Sequence, residues 1–207
     1  MENLAEFNLT FYVIAYLAGS IPFGLILVKA FANIDIQKHG SGNIGATNVL
    51  RVLKENGQES LAKKLGIATL LLDALKGATV LLVAMFVYEA PEDTLFAIMV
   101  LAVVGHIFSV FLLFNGGKGV ATGLGVSAVM FPIETIIAFL VWFVMGKVLK
   151  ISSISSLIAL SSLFGFSFLI SPDVTHVPLG IVAFLIIYKH IPNIERLIRG
   201  EEKKVVS

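Results

Sequence analysis

The chain is expected to be an all-α polytopic membrane protein with about seven transmembrane helices, its N-terminus outside, its C-terminus cytoplasmic and its motif loops on the cytoplasmic face. Three observations predict this. Of 207 residues, 57% are hydrophobic and 14% charged, with mean hydropathy +0.93, which is more apolar than a soluble core of this size requires. The apolar residues fall in long runs separated by turn signals. Lys and Arg collect in alternate turns. A net charge of +1 gives no argument for nucleic acid, and no such partner is expected. With no cysteine, disulfides, thiolate chemistry and Cys-ligated metals are excluded. No low-complexity tract or repeat divides the chain, so residues 1–207 read as a single integral-membrane domain.

The apolar segments run, in order, over about 9–31, 65–88, 94–114, 119–131, 133–149, 153–171 and 177–191. A full span needs about 20 residues, so the glycine-rich fourth and the short seventh read as partial or tilted spans. Ala90-Pro91-Glu92-Asp93, Phe131-Pro132 and Ser171-Pro172-Asp173 mark turns. The N-terminus lacks a basic region, so the first segment is expected to be retained. Lys29, Lys38, Arg51, Lys54, Lys63 and Lys64 lie between the first two segments, Lys118 after the third, Lys147 and Lys150 after the fifth, and Lys189, Arg196, Arg199, Lys203 and Lys204 at or beyond the seventh. The positive-inside rule then puts the connections 31–64, 115–119 and 189 onward in the cytoplasm. A five-crossing arrangement, with segments four and five as one hairpin or re-entrant, keeps the same termini. Within the spans only Asp73 and Lys76 form a charged pair, at i, i+3, and intramembrane charges usually pair.

The polar clusters carry the chemistry. Gly40-Ser41-Gly42-Asn43-Ile44-Gly45-Ala46-Thr47-Asn48 is small, polar and glycine-dense. Successive N–H groups in a glycine-permitted turn form an anion-binding concavity, to which Ser41, Asn43, Thr47 and Asn48 add donors. A helix starting near Ala46 turns its N-terminus to the anion and puts Arg51 on the face of Asn48. Gly116-Gly117-Lys118-Gly119 is not a P-loop, because Leu112 and Gly119 stand where that pattern needs Gly and Ser or Thr; Lys118 remains a point charge beside flexible backbone. Gly119 and Gly123 are spaced for close helix packing. His190 and Asn193 stand three apart around Pro192. Ser152, Ser153, Ser155 and Ser156 open the sixth segment and read as caps and interhelical bonds, with Ser152 the one placed for a ligand. His106 faces the protein interior, in a structural or a functional role. Gly19-Ser20-Ile21-Pro22-Phe23-Gly24 and Gly105-His106 read with the others as parts of one anion site.

Absences narrow the chemistry. The four aspartates, Asp35, Asp73, Asp93 and Asp173, do not cluster in a motif loop, so no Mg²⁺ or Mn²⁺ site is expected. There is neither a Gly-x-Ser-x-Gly elbow nor a His-Glu-x-x-His motif. A transporter for a phosphorylated solute would share the broken helices and anion site, but should continue polar residues to the outer face, where this chain is apolar.

In motif order from Gly19 to Glu201, these residues resemble the bacterial membrane glycerol-3-phosphate acyltransferases that use acyl phosphate as donor. The resemblance implies acyl transfer to position 1 of glycerol 3-phosphate, giving lysophosphatidic acid and inorganic phosphate as the first step of phospholipid synthesis, in the bacterial inner membrane. It implies no cofactor, metal or CoA. Its partners are glycerol 3-phosphate, acyl phosphate, membrane lipids and the enzyme that makes acyl phosphate. Carried across, Ser41, Asn43, Lys118, His190 and Asn193 are the expected catalytic residues, and Gly40, Gly42, Gly45, Thr47, Asn48, Arg51, Gly117 and Ser152 the expected substrate- and phosphate-binding ones.

Overall fold

A computed structural model describes residues 2–204; Met1 and residues 205–207, which belong to the expected domain, lie outside the described residues. Among the described residues all regular structure is helical. The helices are α1 (Glu2–Ser20), α2 (Phe23–Ala32), α3 (Ala46–Glu55), α4 (Glu59–Phe86), α5 (Glu92–Ile107), α6 (Val120–Met130), α7 (Pro132–Leu149), α8 (Ser152–Ile170), α9 (Val177–Lys189) and α10 (Ile191–Ile198). Each of the seven apolar segments is helical. Among the described residues, five stretches are long and apolar enough to cross a bilayer: Asn8–Ala32, Glu59–Phe86, Glu92–Leu112, Pro132–Leu149 and Ser152–Ile170. The pair α9 and α10, bent by 54°, would make a sixth. With eleven residues, α6 is about 16 Å long, about half the ~30 Å of hydrocarbon.

The first span is broken, and the break has a use. Pro22 cannot donate to the turn before it, so α1 ends at Ser20 and α2 starts at Phe23. The carbonyls released there find partners. Ser109 Oγ donates to Ser20 O at 2.6 Å, and Lys76 Nζ to Ile21 O at 2.8 Å, as backbone at membrane depth requires. A Cβ at Gly19 would collide with Ala102 O and one at Gly105 with Tyr16 O; the two glycines let α1 and α5 cross backbone to backbone. The Gly19–Gly24 cluster and Gly105 therefore pack helices and do not line the ligand cavity, a correction to their reading as anion-site residues.

The main core surrounds α5, whose Ile98, Met99, Ala102, Val103 and Ile107 are fully buried. A second core lies beneath α3, where Val49, Val52 and Leu53 pack with Val28, Ile36, Ile44 and Leu65. This separate core makes the glycine motif a folded platform fixed on α4. The outer stripe of α7, Ile133, Ile136, Leu140, Val144 and Val148, is exposed at helical spacing, as a lipid-facing surface should be. α7 packs chiefly on α8, and α8 also meets α9. The serines that open α8 do not cap it. Its N-cap is Ile151, with no side-chain cap bond. Instead Ser152 Oγ lies 3.1 Å from Thr47 Oγ1 and Ser153 Oγ donates to Glu202 at 2.7 Å; the hydroxyls join elements that are distant in sequence.

Candidate active site

The connections 40–51, 118–121, 146–153 and 190–203 line one cavity of about 770 Å³, which continues between α6, α7, α8 and α9. Every expected site residue lines it except Gly42 and Gly117. Gly117 is buried behind the wall and Gly42 is exposed.

The glycine motif builds itself. Gly40 has φ +63° and Gly42 φ +71°, the left-handed region that costs an L-residue roughly 1–2 kcal/mol. A Cβ at Gly40 would also strike Asn48 Oδ1. That oxygen accepts from Ser41 N at 2.8 Å. Asn48 Nδ2 donates to Asn43 O at 2.8 Å and His39 O at 3.1 Å. Asn48 is thus spent at both ends of its amide, and it frames the turn where the sequence suggested a ligand donor. Asn43 Oδ1 accepts from Gly45 N at 2.9 Å, which leaves its Nδ2 as donor. Gly45 is the N-cap of α3 and offers no side-chain cap. The first N–H groups of α3 are left for another acceptor, with Thr47 and Arg51 on the cavity wall.

The Lys118 turn hangs from the end of α5. Gly116 N donates to Ile107 O and Gly117 N to His106 O, both at 3.0 Å. A Cβ at Gly117 would collide with His106 Nε2, so the imidazole edge supports the turn directly. The other edge is engaged too. Lys76 Nζ lies 2.9 Å from His106 Nδ1 and donates to Asp73 Oδ1 at 2.9 Å. With Ile21 O, these partners use the three donors of an ammonium, so Nδ1 accepts and Nε2 carries the ring proton. The Asp73–Lys76 pair is buried; Asp73 and His106 also line the cavity, so the imidazole that supports the turn stands at the cavity wall.

Lys118 is the half-buried end of this arrangement, on the cavity wall. Burial lowers its pKa to about 8; the Glu202 carboxylate opposes that shift, and the charges of Arg196 and Arg51 add to it. Three cations thus face one cavity mouth, an arrangement that an anion relieves. His190, 2% exposed at the bend between α9 and α10, has Nδ1 2.8 Å from Ile186 O. A carbonyl only accepts, so Nδ1 carries the proton and Nε2 is free to accept.

Glu202 was not singled out by the sequence. After Gly200, at φ +70°, the chain turns back, and Glu202 accepts from Ser153 Oγ at 2.7 Å, Asn193 Nδ2 at 2.5 Å and Arg196 Nε at 2.7 Å. Burial alone would raise its carboxyl, but these bonds and the Arg196 charge hold it below the usual carboxylate range. It ties the mouths of α8 and α10 together. The one available signal was a carboxylate near four cations in a basic tail, which a solvated tail would also show. Among the described residues, no three His, Asp or Glu side chains gather as metal ligands.

Residues 9–200 match the glycerol-3-phosphate acyltransferase family. The chain is similar to the glycerol-3-phosphate acyltransferases of Sulfurimonas denitrificans, at 57% identity, and Aliarcobacter butzleri, at 56%, over the full length of both chains in each case. Its fold is similar to crystal structures of PlsY, an integral membrane glycerol 3-phosphate acyltransferase. For the glycerol 3-phosphate form the TM-score is 0.84, and for the lysophosphatidic acid form 0.82. Both are 36% identical and cover 95% of this chain and 94% of the other.

Proposed function

Because the chain belongs to the glycerol-3-phosphate acyltransferase family, we propose that it transfers the acyl group of an acyl phosphate to the 1-hydroxyl of glycerol 3-phosphate, giving lysophosphatidic acid and inorganic phosphate. The observation that carries this reading is one cavity with Arg51, Lys118 and Arg196 at its mouth and an apolar interior behind them. Both proposed substrates bear phosphate, and one bears a long chain. A mouth at the membrane face admits the soluble substrate from water and the acyl donor from lipid. The distribution of Lys and Arg supports a mouth on the cytoplasmic side of a bacterial inner membrane.

The chemistry asks little of the protein. The 1-hydroxyl oxygen bonds to the carbonyl carbon and the tetrahedral oxyanion collapses. The bond from that carbon to the phosphate oxygen then breaks. Phosphate is a good leaving group, so no protein nucleophile is needed, and neither is CoA or a metal. Lys118 and the first N–H groups of α3 hold phosphate charge, Arg51 pairs with a second phosphate, and Ser41, Thr47 and Ser152 supply neutral donors. His190 and Asn193 orient glycerol 3-phosphate. The hydroxyl proton goes to a phosphate oxygen of a bound substrate, whose second pKa is near ~6. Positioning and electrostatics supply the acceleration.

Donor choice tests the reading. Purified protein with glycerol 3-phosphate should turn over palmitoyl phosphate and ignore palmitoyl-CoA, at a rate that EDTA leaves unchanged. Efficient use of the CoA thioester, or EDTA inhibition reversed by Mg²⁺, would sink it.

A further inference from the structure

The apolar interior of the cavity has an end. On α8, eleven residues separate Ser152 at the mouth from Leu163, the deepest lining residue of that helix, about 16 Å of helix. On α7, nine residues separate Lys147 from Ala138, about 13 Å. On α9, eight separate His190 from Val182, about 12 Å, and on α6 seven separate Val120 from Ser127, about 10 Å. On these four helices the lining residues therefore end about 10–16 Å along the helix from the mouth. Beyond that level Phe131 belongs to the same buried cluster as Ala138, Leu163 and Val182. Phe131, among the largest fully buried side chains, fills the turn from α6 to α7, its ring centroid 6.3 Å from that of Phe96. Glu134 Oε1 accepts from Ser171 Oγ at 2.5 Å, fastening the far ends of α7 and α8. Neither Phe131 nor Glu134 lines the cavity.

We infer that the level of Ser127, Ala138, Leu163 and Val182, closed beneath by Phe131, is a floor that sets which acyl-chain lengths the enzyme uses. The inference rests on the acyl-donor reading above. A chain anchored by its phosphate at Lys118 runs inward, and its terminal methyl meets this floor. An extended chain advances about 1.2 Å per bond, as three backbone bonds advance about 3.5 Å in an extended polypeptide. A depth of about 10–16 Å therefore houses roughly 8–13 bonds when straight, and a few more when kinked. Up to that length each added methylene gains apolar contact, about fourfold in transfer equilibrium; beyond it a methylene gains nothing and must displace protein. The two floor residues easiest to enlarge stand on different helices. Ala138 offers only a methyl group, and Ser127 a small hydroxyl that is buried with no hydrogen-bond partner.

The test measures kcat/KM for saturated acyl phosphates of 10, 12, 14, 16 and 18 carbons, in wild type, Ala138→Phe, Ser127→Leu and Phe131→Ala. Wild type should rise with chain length and then level or fall within the series. Ala138→Phe and Ser127→Leu should move that break to shorter chains. A ring displacing three methylenes lowers the ratio of 16- to 10-carbon activity by about 60-fold, at about fourfold each. Phe131→Ala should move the break to longer chains. The break in wild type and its direction of movement in any active variant decide the matter, so a variant that does not fold leaves the test intact. A wild-type profile that is flat, or that rises without a break through 18 carbons, overturns the floor while leaving the acyl-phosphate reading standing. Active floor variants with the wild-type profile overturn it equally. Failure of wild type to use any acyl phosphate removes the reading above and the floor with it.

Discussion

At the scale of single residues, Lys118 carries the clearest pH signature. Its pKa of about 8 means that raising the pH through that value discharges the ammonium in the free enzyme. The kcat/KM should therefore fall on an alkaline limb near pH 8. Lys118→Arg, whose charge persists above pH 12, should remove the limb from the accessible range. A limb unchanged in the arginine variant would assign the titration to another group. His190 tests the proton route. With Nδ1 held by Ile186 O, Nε2 is the only edge that can take a proton from substrate. His190→Gln and His190→Asn keep a hydrogen bond but cannot act as a base, so substrate-assisted transfer predicts clear residual activity in both and little in His190→Ala. A loss of about 10²–10⁴-fold in the amide variants, with glycerol 3-phosphate still bound, would make His190 the base. Much of this was legible in sequence, because a phosphate site needs residue types that a lipid-facing helix cannot use, and Ser41, Arg51, Lys118 and His190 stand out against 57% hydrophobic composition. Asn48 shows the limit of composition, because a side chain that donates to a ligand and one that ties a turn read alike. Glu202 was missed because only the fold brings residue 202 to residue 153.

At the scale of elements, the buried trio of Asp73, Lys76 and His106 joins α4, α5 and the break between α1 and α2 beneath the Lys118 turn. The sequence showed the i, i+3 pair, since both members lie one helical turn apart. It could not show the third and fourth partners, which come from elsewhere in the chain. Removing one member leaves a buried charge uncompensated, at about 3–5 kcal/mol. Lys76→Met and Asp73→Asn should each lower the melting temperature of the detergent-solubilised protein strongly. The double variant should recover part of the loss, because the penalties share one cause. Additive losses in the double variant would show that the pair is not a coupled unit. The glycine clusters at 19–24 and at 105 show the complementary limit. Glycine near a phosphate and glycine at a helix crossing read alike until the neighbouring backbone is seen.

At the scale of the whole molecule, seven apolar segments were readable from hydropathy and all are helical, but length separates them. Five are long enough to span, and α6 is not. Period and composition locate a helix, whereas crossing depends on how Gly119 and Pro132 truncate it. Orientation follows from charge alone and has its own test. A cysteine at Glu92 should react with an impermeant thiol reagent in sealed cells, and one at Glu55 only after permeabilisation. Labelling of Glu55 in intact cells would put the glycine motif outside. The central claim is that an acyl group moves from phosphate to glycerol 3-phosphate at the mouth formed by Arg51 and Lys118. Charge-assisted contacts of this kind are worth about 1.5–3 kcal/mol each, so Arg51→Ala or Lys118→Ala should lower kcat/KM by about 10–150-fold. The most direct measurement is release of inorganic phosphate from palmitoyl phosphate by purified protein, with and without glycerol 3-phosphate, in wild type and these two variants. The account predicts release that requires glycerol 3-phosphate, equals the lysophosphatidic acid formed, and drops by that factor in each folded variant. Release independent of glycerol 3-phosphate, or near-normal kinetics in both variants, would contradict it.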